Sequence, residues 1–88
     1  MRTLFWSPAF KRSFRRFAKK NPTAREAILR AIQTLSDDPF NPSLSTHKLK
    51  GELQGAWACK AGYDLRIVFE FVENGILLLA VGSHEEVY

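Results

Sequence analysis

Cysteine, long apolar runs and glycine-rich loops are scarce in this 88-residue sequence, and each shortage narrows the class of protein. The single cysteine, Cys59, excludes an internal disulfide and argues against a cysteine metal cluster, so we expect it to pack as a small apolar side chain. No apolar run reaches the roughly 18 residues of a membrane-spanning helix. The N terminus also lacks the apolar stretch and small-residue cleavage site of a signal peptide. These absences predict a cytoplasmic protein without membrane contact.

Acidic residues are nearly missing from the first 35 residues, where nine Lys or Arg accompany one Glu. The rest of the chain has four basic and eight acidic residues, so the net charge of +4 conceals a cationic N-terminal part. Such a surface attracts a polyanion such as nucleic acid. Charge alone leaves the plainer alternative open, a solvated helix face.

The composition and the order of apolar and chain-breaking residues predict one α+β domain over residues 1–88. Thr3–Trp6 is β-prone, and Ser7 before Pro8 is the N-cap pattern of a first helix. A break at residues 21–22 precedes a second helix. Its N terminus has two candidate caps, either Asn21 or a capping box of Thr23 with Glu26.

From residue 47 onwards the apolar period changes from helical to alternating, which predicts strands. Leu65–Val72 is the clearest strand, with alternate residues facing the core. Asn74-Gly75 indicates a tight hairpin into a last strand, Ile76–Val81. The predicted order is β-α-α-β-β-β, with two antiparallel helices packed on one face of a small, mostly antiparallel sheet.

The first helix has an aromatic stripe and a cationic arc. Its phenylalanines recur at helical spacing, at residues 10, 14 and 17, and we expect this stripe to join the core. The opposite arc is basic and is where an RNA contact could lie. Its candidate binding residues are Arg12, Arg15, Arg16 and Lys19.

The remaining candidate site residues are histidines, cationic side chains and a tyrosine in the second half of the chain. No carboxylate pair, activated nucleophile or phosphate-binding loop is recognisable, and no third ligand completes a metal site. We therefore expect no metal and no cofactor. This set of histidines, cationic side chains and a tyrosine suits metal-free cleavage of RNA. In that reaction imidazoles transfer protons, and cations stabilise the charged phosphorane. Taken singly, each residue has an ordinary structural role as an alternative. The set comprises His47, Lys48, Lys50, Lys60, Arg66, His84 and Tyr88.

Four segments in series resemble the RelE superfamily of bacterial toxin endoribonucleases, closest to its YafQ and YoeB branches. They read W-S-P-A-F-K-R-S-F-R-R, H-K-L-K-G-E-L-Q-G-A-W, G-Y-D-L-R-I-V-F-E and G-S-H-E-E-V-Y, and they span nearly the whole chain. The resemblance implies the toxin of a type II toxin-antitoxin pair, which cuts mRNA in the ribosomal A site without metal. The implied partners are a cognate antitoxin, the ribosome and mRNA.

The resemblance also implies roles for individual residues. His84 matches the catalytic histidine of the YafQ and YoeB branches, the general acid for the leaving oxygen, and Tyr88 matches an aromatic that stacks on or orients a base. Arg66 matches the arginine that contacts the scissile phosphate. His47 falls at a position assigned to proton transfer, and Asp64 matches an active-site aspartate. The implied cationic region comprises Lys48, Lys50 and Lys60.

The sequence departs from the family pattern at two positions. Ala80 stands where the YafQ branch has an arginine, and a second histidine of that branch has no counterpart unless Lys60 substitutes. Two rival functions are compatible with the scaffold. One is a ParE-like inhibitor of DNA gyrase, and the other is a non-enzymatic module that binds RNA or the ribosome through the basic helix alone.

Overall fold

The computed structural model describes residues 2–50 and 55–83 of the chain. Two helices, a short 3-10 turn and five strands account for most of them. The helices are α1 (Pro8–Lys20) and α2 (Pro22–Asp37), and the 3-10 turn covers Pro42–Leu44. The strands are β1 (Thr3–Trp6), β2 (His47–Lys48), β3 (Trp57–Ala61), β4 (Leu65–Val72) and β5 (Gly75–Ser83). None of the helices is long and apolar enough to cross a membrane.

The strands form one sheet in the order β1-β5-β4-β3-β2. β1 pairs with β5 in parallel, and the other three pairs are antiparallel. Parallel pairing of β1 and β5 requires a long crossover, which the helices and the remaining strands supply. The predicted α+β class, with two helices on a mostly antiparallel sheet, is confirmed.

Helix α1 begins where the sequence predicts. The Ser7 hydroxyl accepts a hydrogen bond from the Phe10 backbone N–H at 3.0 Å, and Pro8 occupies the first turn, where a missing N–H costs nothing. Phe10 is fully buried, and Trp6 makes edge-to-face contacts with the rings of Phe10 and Phe14. The predicted aromatic stripe therefore belongs to the core.

Asn21 ends one helix and starts the next. Its N–H donates to the Phe17 carbonyl of α1, while its side-chain oxygen accepts from the N–H groups of Thr23 and Ala24 at 3.0 and 3.1 Å. Of the two predicted caps, Asn21 is the one formed. A single asparagine thus satisfies three donors or acceptors at the α1–α2 junction, which fixes the two helices as close neighbours.

The core lies between the helices and one face of the sheet, and it is mainly aliphatic. Alternate residues of β4 point into it, as the sequence predicts. We call the opposite face of the sheet, which turns away from both helices, the distal face. The buried cluster comprises Phe10, Ile28, Ala31, Ile32, Leu35, Leu44, Cys59, Ala61, Ile67, Phe69, Ile76, Leu78 and Val81.

Strand β5 is longer than predicted and contains a bulge. Phe69 pairs with Leu78 but its neighbour Val68 pairs with Ala80, so Leu79 is an extra residue without a partner on β4. The bulge shifts the alternation of β5, since Leu78 and Val81 both point into the core although they are three residues apart. The continuous apolar run of β5 concealed this shift, because either phase of alternation puts apolar residues in the core.

Two glycines have roles that differ from those the sequence suggests. In the β4–β5 hairpin the turn residues are Glu73 and Asn74, and Gly75 already belongs to β5. Gly75 is needed because a side chain there would collide with the Thr3 backbone carbonyl of β1. Gly82 follows directly on the predicted last strand, Ile76–Val81, where a glycine suggests a turn. It instead lies within β5, because pairing with β4 continues as far as Ser83.

We expect replacement of the helix-junction cap to destabilise the fold. Asn21→Ala should lower the free energy of unfolding by about 1 kcal/mol, because two N–H groups at the start of α2 lose their acceptor. For a domain of this size the thermal midpoint should fall by about 4–8 °C. Thermal denaturation followed by circular dichroism measures both quantities.

Thr23→Ala and Glu26→Ala are the matched controls, because they remove the alternative capping box. Each should change the stability by less than about 0.5 kcal/mol. A larger loss for these two variants than for Asn21→Ala would contradict the assignment of the cap.

Candidate functional site

Two cations face each other on the distal face of the sheet. Lys60 of β3 pairs directly with Arg66 of β4, and residues so placed have Cβ atoms about 5 Å apart. Like charges in this position repel each other. Within residues 2–50 and 55–83, neither side chain forms an ion pair with a carboxylate. An anion bound between the two would remove the repulsion.

The Arg66 side chain has different neighbours on its two sides. Its side chain is half-buried, and one guanidinium nitrogen donates to the Leu65 carbonyl at 3.0 Å. On its other side Arg66 pairs with Gly82 of β5, which has no side chain. The guanidinium therefore has a cation on one flank and a residue without a side chain on the other.

His47 joins the same face of the sheet from the edge strand. It pairs with Ala58 of β3, two residues from Lys60 along that strand, so the two side chains lie on the same face. The ring nitrogen Nδ1 lies 3.0 Å from the Ser45 carbonyl oxygen. Because a carbonyl only accepts, Nδ1 carries the proton in this contact, and in the neutral ring the lone pair is on Nε2. In this tautomer Nε2 is the ring nitrogen that can accept a proton.

Two other predicted site residues, Lys48 and Asp64, lie away from the distal face. Lys48 turns toward the core side, where its ammonium lies 5.8 Å from the centre of the Trp57 ring. Asp64 lies in the β3–β4 turn and lines a cavity of about 340 Å³ between that turn and the α1–α2 junction. Lys50 is exposed two residues beyond β2. The structure thus places Lys60, Arg66 and His47 on one face and places Lys48 and Asp64 elsewhere.

The cations of α1 lie on the helix side of the sheet. All four predicted binding residues are exposed. Ser13, which stands between the aromatic stripe and the cationic arc, accepts a hydrogen bond from the Val81 N–H of β5 at 3.1 Å. The cationic arc therefore starts at the β5 side of the helix. These residues are Arg12, Arg15, Arg16 and Lys19.

His84 and Tyr88 lie outside the described residues, so their predicted roles stay predictions. The described chain ends at Ser83, one residue after the glycine that pairs with Arg66. Among residues 2–50 and 55–83, no group of three or more His, Cys, Asp or Glu side chains could hold a metal ion.

Two features of the structure escaped the sequence analysis. One is the contact between Ser13 and β5, for which the sequence offers no signal beyond a serine at the border of an amphipathic helix. The other is an aromatic cluster on the core side of the sheet, in which Phe40 stacks on Phe71 and both rings contact Trp57 edge-on. Phe40 lies between α2 and the 3-10 turn, and its packing partners are distant in sequence, so only the tertiary structure reveals the cluster.

The fold and the cationic distal face define a class of protein. Two helices on a five-stranded, mostly antiparallel sheet are the fold of the RelE superfamily of type II toxins. Residues 2–88 match the family model described as the bacterial toxin of a type II toxin-antitoxin system, YafQ. The chain belongs to this YafQ toxin family.

Solved structures with this fold share little sequence with the chain. A metal-bound toxin from Helicobacter pylori is 26% identical over 100% of both chains, with a TM-score of 0.81. YafQ from E. coli is 12% identical over 100% of this chain and 99% of its own, with a TM-score of 0.83. YoeB in the YoeB–YefM complex from Staphylococcus aureus is 18% identical over 96% and 98%, with a TM-score of 0.77. A sequence comparison with curated proteins finds no significant match.

Cys59 is an inert core residue. Its side chain is fully buried, and this burial raises the pKa of the thiol to about 12, although the nearby Arg66 charge works in the opposite direction. We expect a thiol reagent such as DTNB at pH 8 to leave the native protein unmodified, because the thiolate is the reactive form. In denaturant the same reagent should titrate one thiol per chain. Rapid reaction of the native protein would contradict the burial of Cys59.

Proposed function

We propose that this YafQ-family toxin is a ribosome-dependent mRNA endoribonuclease, neutralised by a cognate antitoxin. The observation that carries the proposal is the Lys60–Arg66 pair on the distal face, which is flanked by Gly82 and accompanied by His47. Two adjacent cations that form no ion pair with a carboxylate of residues 2–50 or 55–83 suit a phosphodiester, whose charge increases as the phosphorane forms. Arginine can also hold two phosphate oxygens at once.

In the proposed reaction the ribose 2′-oxygen attacks the adjacent phosphorus, and the bond from phosphorus to the 5′-oxygen breaks. His47 takes the proton from the 2′-hydroxyl on Nε2, which its contact with the Ser45 carbonyl supports. Arg66 and Lys60 stabilise the negative charge on the phosphorane. His84 returns a proton to the departing 5′-oxygen, and Tyr88 orients a base. The products are a 2′,3′-cyclic phosphate and a free 5′-hydroxyl.

The spacing of the strands is compatible with this division of roles. β2 and β4 are separated by one intervening strand, so the backbones of His47 and Arg66 lie about 12 Å apart. Both side chains lie on the distal face, where a nucleotide bound between β2 and β4 would present its 2′-hydroxyl to His47 and its phosphate to Arg66.

The exposed cations of α1 supply a second polyanion contact. They project from the helix side of the sheet, so they reach a different stretch of RNA from the one at Arg66. Ribosomal RNA is the polyanion available next to an mRNA in the A site, and we assign the α1 surface to it. The residues are Arg12, Arg15, Arg16 and Lys19.

The antitoxin partner is proposed by analogy with relatives. The Staphylococcus aureus YoeB structures include complexes with YefM, one of which is a heterotetrameric toxin-antitoxin complex. This chain has the same fold over almost its whole length. We therefore expect a small antitoxin, encoded beside this gene, to bind the protein and abolish its activity.

Replacement of the phosphate-binding arginine tests the proposal. Arg66→Ala should lower the rate of mRNA cleavage on programmed ribosomes by about 10²-fold or more, because the protein loses a preorganised positive charge that stabilises the phosphorane. Arg30→Ala, which removes an exposed α2 cation outside the site, is the matched control and should cleave normally. Equal cleavage by Arg66→Ala and the wild type would show that the mechanism is wrong.

A second test concerns the base. His47→Ala should reduce the single-turnover cleavage rate by about 10²- to 10⁴-fold while ribosome binding is retained, because only proton transfer is removed. Sedimentation of the protein with ribosomes measures binding separately. A loss of binding equal to the loss of cleavage would assign His47 to RNA contact instead.

The rival functions predict other outcomes. A gyrase inhibitor would alter DNA supercoiling and leave mRNA intact, and it would be insensitive to Arg66→Ala. A binding module would stop translation without cutting mRNA. In that case charge reversal at Arg15, Arg16 and Lys19 would abolish inhibition, and His84→Ala would not.

A further inference from the structure

Strand β5 loses its strand partner on one side halfway along its length. β1 pairs with β5 only as far as Trp6 opposite Leu78, because the chain then turns into α1 at Ser7. The carbonyls of Leu78 and Leu79 both point to that side, since they accept from the Ser7 N–H at 3.2 Å and the Ser7 hydroxyl at 3.4 Å. Adjacent carbonyls of a regular strand point in opposite directions, so the two contacts mark the bulge at Leu79.

Past the bulge, the Val81 N–H points to this side of β5. It donates to the Ser13 hydroxyl of α1 at 3.1 Å. The same hydroxyl donates to the Ala9 and Phe10 carbonyls of its own helix, at 3.2 and 3.1 Å. Ser13 is therefore held in place by its helix and replaces the missing strand as the partner of β5.

The bulge decides what lies opposite Arg66. With it, Arg66 pairs with Gly82. If β5 continued without the extra residue after Leu78, every later pair would move by one position, and Val81 would stand opposite Arg66. A β-branched side chain would then occupy the space beside the guanidinium, and Gly82 would move to the core face.

We propose that Ser13 is a positioning residue for the cleavage site. By accepting the Val81 N–H it holds β5 in the bulged register, which keeps Gly82 beside Arg66. The role is indirect, because Ser13 lies on α1 and acts through β5. The inference rests on the proposed function for its catalytic part, while the hydrogen bond itself can be tested separately.

Ser13→Ala removes the acceptor, and Thr34→Ala is the matched control. Thr34 lies on α2 and its hydroxyl donates to the Arg30 carbonyl four residues earlier, as helical hydroxyls do, with no strand involved. Ser13→Thr keeps the hydroxyl and serves as the conservative variant. Each variant is compared with the wild type by hydrogen exchange of the Val81 amide and by single-turnover cleavage on programmed ribosomes.

For Ser13→Ala we expect the Val81 amide to exchange about tenfold faster, while the Asn21 amide, which bonds within the helix junction, is unchanged. The cleavage step should slow about tenfold or more at saturating ribosome concentration, with little change in the concentration giving half-maximal rate. Thr34→Ala should resemble the wild type in both measurements. Ser13→Thr should restore both.

An unchanged Val81 exchange rate in Ser13→Ala would overturn the proposal, whatever the activity. Faster exchange with an unchanged cleavage rate would overturn the positioning role. A wild-type protein that cuts no mRNA would refute the proposed function and the catalytic part of this inference. The exchange measurement would still decide whether Ser13 holds β5.

Discussion

The structure depends on partners for both edges of β5. β4 serves one edge throughout, whereas the other edge is served first by β1 and then by α1. This change of partner occurs at Ser7, whose hydroxyl also caps α1, so one short segment ends a strand, starts a helix and places that helix against β5. Unpaired backbone groups in a buried strand are costly, which is why the point at which β1 ends also determines where α1 must lie. Asn21 joins the end of α1 to the start of α2, so the position of α1 also determines where α2 begins to pack.

The fold separates two cationic surfaces with different surroundings. The α1 arc is exposed and consists of side chains that solvent screens well, and such residues attract RNA without selecting a particular phosphate. The Lys60–Arg66 pair is held by strand pairing, with a half-buried arginine between a cation and a glycine. Held geometry of this kind is what stabilisation of a transition state requires, since the groups do not have to reorganise when charge develops. In the proposed function, the sheet therefore suits the chemical step and the helix suits the first encounter with RNA.

The same fold occurs in toxins that share only 12–26% of their residues with this chain. A core of interchangeable aliphatic and aromatic side chains tolerates such divergence as long as the apolar pattern and volume persist. Function, unlike the fold, depends on particular side chains at individual positions. The arginine expected two residues before Gly82 is Ala80 here, on the distal face beside Val68, so any cation needed in that region must come from elsewhere. Lys60, the possible substitute for the missing histidine of the YafQ branch, lies directly opposite Arg66.

The sequence by itself determined the fold class, the order of the main elements, the Ser7 cap and aromatic stripe of α1 and the alternation of β4, because each is encoded by neighbours a few residues apart. The separate edge strand β2 and the choice of Asn21 as the cap of α2 came from the tertiary structure. The sequence also indicated His47, Lys60 and Arg66 through their resemblance to a family. Only the tertiary structure decided that these three share one face while Lys48 and Asp64 do not, because a shared face depends on strand order and register. The bulge at Leu79, and the hydrogen bond from the Val81 N–H to Ser13, were likewise invisible in a run of apolar letters. They arise where β1 ends beside β5, a meeting of segments about 70 residues apart in the chain.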